Sequence, residues 1–171
     1  QAAKELQKIG DAGLLAKSEF NRLEAASKGM AGTFESTKQK TAALSSQIDA
    51  AKQKADVYRK GMKDLSDTIE QSKKKQSDLE AQIKETNARL EDAKNKYGDT
   101  SAQAQKYRDE ITRMESEHAT LSTRIEDCEN KVVKYKTSLN NTETEIINLT
   151  RQLKDAESSM LTFGDAAQKT G

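Results

Sequence analysis

Apolar residues recur along this chain in a 3-4 alternation that keeps one frame from Leu6 to Ala167. With Phe34 as position a of a seven-residue repeat, the a series runs through Ile48, Met62, Ile69, Ile83, Leu90, Tyr97, Ile111, Ile125, Val132, Leu139, Ile146, Leu153 and Met160. The d series, three residues after each a, runs through Leu44, Tyr58, Leu65, Leu79, Tyr107, Met114, Leu121, Cys128, Tyr135, Leu149 and Phe163. A repeat of seven lays one apolar stripe along a slightly under-wound helix, and that stripe must meet another helix. Apolar residues fill 38 of the 49 a and d positions but only 19 of the other 122, and 13 of those 19 are Ala. The fold class is therefore all-α, a long heptad-repeat coiled coil, with the a and d residues named above as its oligomerisation seam.

Composition excludes the main rivals. One third of the 171 residues is charged, 4% is aromatic and Pro is absent. So few apolar residues, so regularly placed, do not build a globular core. Disorder is the other outcome of low hydrophobicity, and the sustained period argues against it. The net charge of +1 favours neither nucleic acid nor a membrane surface. No run of eighteen apolar residues is present, so no membrane span is expected. A single cysteine cannot form an internal disulfide. The start at Gln1, without Met, reads as a processed protein or a fragment of a longer one.

Three segments follow from the punctuation. Residues 1–33 carry Gly10, Gly13, Gly29 and Gly32 and read as a Gly-interrupted helix in the same frame, with a break near Gly29–Thr33. Residues 34–163 form the heptad coiled coil. Residues 164–171 read as the start of a further helix, after a stop at Gly164 and a new cap at Asp165. Within the long segment, 97–101 is a possible break: Gly98 is a helix stop, and Thr100 with Gln103 resembles a capping box.

Two courses are open there. A hairpin turning at Gly98 pairs a with d at positions summing to 197, which brings together Leu90 and Tyr107, Ile83 and Met114, Ile69 and Cys128, and Phe34 and Phe163. The charged flanks do not decide. Arg89–Glu110, Lys54–Glu145 and Lys52–Glu143 would attract, while Lys75–Arg124, Glu80–Glu115 and Arg59–Lys136 would repel, and exposed pairs are worth a few tenths of a kcal/mol. The heptad frame, however, crosses Gly98 without a shift. That continuity favours an extended rod, with the antiparallel hairpin as the alternative.

His118 and Cys128 are the residues that invite a chemical reading. They lie on the seam, ten residues and about 15 Å apart along a helix, and cannot meet within one straight chain. Glu115-x-x-His118 has the spacing of a helical-bundle metal motif, but a lone polar a residue more commonly sets register. Cys128 reads as a small core residue. Ser72 with Gln76, and Thr37 with Thr41, are polar stretches that read as register selection, with weak points for rod disassembly as the alternative. Tyr58, Tyr97, Tyr107 and Tyr135 read as packing layers, and Lys73-Lys74-Lys75 as a solvated face. No catalytic, cofactor or metal residue is assigned, and the chain reads as non-enzymatic.

Three stretches carry a resemblance: FESTKQKTAALSSQIDAAKQKADVYRKGMKDL from Phe34, YGDTSAQAQKYRDEITRMESEHATL from Tyr97, and SLNNTETEIINLTRQLKDAESSMLTFGDAAQKTG from Ser138. Together they span most of the chain, which resembles the coiled-coil portion of tail tape measure proteins of tailed phages and phage-tail-like particles. The resemblance implies a rod, made in the bacterial cytoplasm and housed in the lumen of the virion tail. It further implies a homotrimer whose length sets tail length, which works with tail tube protein and tail assembly chaperones and leaves the tube before DNA ejection. A helix rises about 1.5 Å per residue, so a chain of this length spans roughly 250 Å when fully extended. The heptad pattern by itself equally serves a cellular coiled-coil scaffold or tether.

Overall fold

The computed structural model describes residues 2–27 and 34–169, with side chains described within 2–25 and 35–162. Three α-helices account for nearly all of them: α1 (Ala2–Ser27), α2 (Phe34–Tyr97) and α3 (Ala102–Lys169). Ala, Leu, Glu, Lys and Gln are abundant in these segments, and no Pro interrupts their backbone hydrogen bonds. The break expected near Gly29–Thr33 lies outside the described residues. The stop expected at Gly164 is not used. α3 continues through it to Lys169, because one interior Gly costs only about 1 kcal/mol in a helix already many turns long.

At residues 97–101 the chain reverses; the helix does not run through, as the extended rod requires. Gly98 takes φ +90°, a left-handed conformation that Gly adopts without penalty and that ends α2. Lys94 and Lys96 occupy the last turn, where the negative end of the helix dipole favours cations. The Gly98 N–H still donates to the Lys94 carbonyl at 2.9 Å, and the Ser101 N–H donates to the Gly98 carbonyl at 3.2 Å. The cap of α3 is Ser101, not Thr100: its Oγ accepts from the Ala104 N–H at 3.2 Å. The donor three residues after the cap is thereby satisfied; the expected Thr100–Gln103 box is replaced by this single cap, since Ala104 has no side-chain acceptor to complete a box.

The chain divides into two units. The second, Met62–Lys134, is a two-helix antiparallel pair closed by this turn. Leu79, Leu90, Ala104, Ile111, Met114 and Leu121 form its buried cluster, with Ile83 and Tyr107 packed on it. The first unit, Gln1–Gly61 with Tyr135–Gly171, brings three helices together. Leu44, Ile48 and Leu149 are its core, joined by Phe20 from α1 and by Leu153 and Ala156 from α3. Gly13 faces Ala50, and Phe20, seven residues on, packs on the cluster that holds Leu44 and Ile48, earlier in α2, so α1 runs antiparallel to α2 instead of extending the same seam.

Candidate functional site

The candidate site is the seam itself. In the second unit burial falls on a and d positions: Leu79, Leu90, Ile111, Met114, Leu121, Ile125 and Cys128 are buried, and Met62, Leu65, Ile69, Ile83, Tyr107 and Val132 are half-buried. In the first unit Leu44, at 1% exposure, Ile48 and Leu149 are buried, while Tyr58, Tyr135, Leu139, Ile146, Leu153 and Met160 are half-buried. The side chains of Phe34 and Phe163 lie outside the described residues. The seam is thus covered by the chain's own helices.

Tyr97 departs from this pattern. It occupies an a position yet is 68% exposed. The sum-197 rule sets Thr100 opposite it, and Thr100 is itself an exposed turn residue. The hairpin therefore offers Tyr97 no helical partner layer.

The polar stretch around Gln76 is a cross-helix hydrogen-bond network. Gln76 Nε2 donates to Ser122 Oγ at 2.6 Å and to the His118 carbonyl at 3.3 Å. Ser122 Oγ donates to the same carbonyl at 3.1 Å. The His118 ring Nε2 lies 3.0 Å from Glu80 Oε1. His118 is thus engaged by the facing helix, and no three His, Cys, Asp or Glu residues converge as a metal site among the described residues. Ser72, one turn before Gln76, is buried. Cys128 is buried with a free thiol.

Charged flanks avoid the repulsions that ideal pairing would impose. Lys75 pairs with Glu117, and Arg59 bonds Glu143 and Asp56 at 2.8 and 2.9 Å. Those bonds, Glu143 first, hold the Arg59 guanidinium above its ordinary pKa. Lys73 meets Glu129 at 3.0 Å, and Arg89 pairs with Glu85 on its own helix instead of Glu110. These side chains are roughly half exposed or more, so solvent screens each pair and it orients more than it stabilises.

Two features of the seam escaped the heptad reading. Gly61 admits Tyr135: a methyl at Gly61 would overlap the Tyr135 ring, which packs tilted on Tyr58 with centroids 5.6 Å apart. A lone glycine in the middle of a 64-residue helix was the signal for it. Ala43 and Gln47 lie off the a and d positions but are buried, on the side of α2 where α1 packs. The off-seam alanines were the signal there, since small residues let a third helix approach.

At the turn, Arg108 reaches back to Asp99, bonding its carbonyl at 2.8 Å and its carboxylate, and Lys94 approaches the same carboxylate at 3.8 Å. No described helix is long and apolar enough to cross a membrane. Comparison with family models, curated proteins and solved structures finds no match.

Proposed function

We propose that the chain is a structural, non-enzymatic segment of a tail tape measure protein, acting as a helical ruler in the lumen of a virion tail. The observation that carries this reading is the single heptad frame that continues from α2 into α3 across residues 97–101. A chain with one frame keeps one seam whether it is folded back or extended. The fold-back is then the form of the isolated chain. Assembly with tail tube protein and tail assembly chaperones imposes the extended form, in which the same seam residues hold a homotrimer. The sequence resemblance supplies the partners, the trimer and the location.

A second reading, a cellular scaffold or tether, is favoured by one observation. The seam is already covered within the chain, which leaves the charged outer faces for partner proteins.

One experiment separates them. Whole heptads are deleted from or duplicated in the exposed stretches of the full-length gene, and tail lengths are measured by electron microscopy. The ruler reading expects about 10 Å of tail per heptad, from a rise of about 1.5 Å per residue. Unchanged tails, or particles lacking the protein, overturn it. Recovery of the chain with non-tail proteins favours the tether.

A further inference from the structure

We propose that the turn at Gly98 is a hinge through which two copies of this chain exchange α3 to form an antiparallel, domain-swapped dimer. The inference concerns the isolated chain and does not depend on the tail reading. Three observations converge on it.

First, the heptad frame is unbroken across the turn, with Tyr97 at a, Gly98 at b, Asp99 at c and Thr100 at d. If these residues became helical, Gly98 and Asp99 would lie on the outer face, and α2 would run into α3 with the seam intact. Two such chains laid antiparallel pair at positions summing to 197. The cross-helix layers made within one copy, such as Leu90 with Tyr107, would then form between copies. The exchange sacrifices little packing, and mass action decides its extent.

Second, Tyr97 is an aromatic at a seam position left 68% exposed by the turn. In the swapped pair the Tyr97 of each copy meets the Thr100 of the other inside a continuous helical layer. Exchange therefore covers apolar surface that the hairpin leaves in water.

Third, the contacts that distinguish the hairpin are few and local. Gly98 holds φ +90°, Ser101 caps α3, and Arg108 bonds Asp99. In a continuous helix Asp99 and Arg108 stand nine residues, or about 13 Å, apart, so that ion pair belongs to the hairpin alone. Glycine is suited to both states, because it accepts left-handed and helical backbone alike.

The test uses the 171-residue chain, with Gly98→Ala to disfavour the left-handed turn and favour helix through it. Light scattering after size exclusion reads the mass. Carbodiimide then links Lys73 to Glu129, whose charged atoms lie 3.0 Å apart, in a mixture of isotopically heavy and light protein co-refolded before coupling. The expected result is that Gly98→Ala forms dimer at a concentration at least tenfold below that needed by the natural chain. Lys73–Glu129 linked peptides from that dimer should carry mixed labels. A folded Gly98→Ala monomer with uniformly labelled links overturns the proposal, as does a dimer whose links are all uniformly labelled. Should Gly98→Ala lose helicity, Asp99→Ala replaces it, since that change removes the ion pair and leaves glycine at the hinge. A folded Asp99→Ala chain with no more dimer than the natural one is likewise a refutation.

Discussion

Gly61 and Tyr135 show how one residue's identity is set by the ring across from it. On propensity alone Gly61→Ala should stabilise the middle of α2 by about 1 kcal/mol. The added methyl overlaps the Tyr135 ring, which Tyr58 backs, and overpacking of this kind costs about 1–3 kcal/mol. Gly61→Ala is therefore expected to lower the urea midpoint. In a Tyr135→Ala background the same change should raise it, and that reversal of sign separates packing from propensity. Burial of the described seam residues other than Tyr97 follows the periodicity, because a and d positions are the ones a facing helix covers. The polar layer was legible at Gln76, Ser72 and His118. Its partners Glu80 and Ser122 were not, since they lie beside the seam and reach it only through side-chain geometry. Tyr97 was misplaced for the opposite reason: its heptad position is right, but the turn removes the layer it would face.

At the scale of elements, α2 and α3 follow from the heptads and from Gly98, whereas α1 does not. Its a and d residues share the frame of the long helices, which suggested continuation, yet it folds back on α2 and α3 in the first unit. Frame alone does not distinguish a helix that extends a seam from one that adds a third strand to it. The distinguishing mark is burial off the seam at Ala43 and Gln47. Removing residues 1–27 exposes that side of α2 and the Phe20 site. The expected outcome is faster amide exchange across residues 40–57 and 142–156, with rates across 69–125 unchanged. Equal loss in both stretches would mean that α1 supports more than the unit it packs in. The N-cap of α3 carries a smaller lesson. Thr100 and Ser101 are chemically equivalent candidates, and the backbone of the turn, not side-chain type, assigns the role to Ser101.

At the scale of the whole molecule, the heptad frame is compatible with two courses, and the contacts that turn the chain back on itself lie at residues 94–108. Continuity of the frame through Gly98 suggested an extended rod, but it does not oppose the hairpin. A four-residue turn that brings two seams face to face also preserves the count of seven. What decides locally is Gly98 at φ +90° together with the Ser101 cap and the Asp99–Arg108 pair. The central claim is that the seam closes within one copy of the chain. Spin labels on Lys84→Cys and Arg113→Cys, both exposed and at positions summing to 197, test it most directly in a Cys128→Ser background. Labelled protein is diluted tenfold with unlabelled chain and refolded at low concentration, so that only distances within one copy contribute. Fold-back predicts a distance below about 25 Å, set by helix axes 8–10 Å apart plus the label arms. A distance near 43 Å, the rise of the 29 residues between the labels along a continuous helix at about 1.5 Å each, would contradict it.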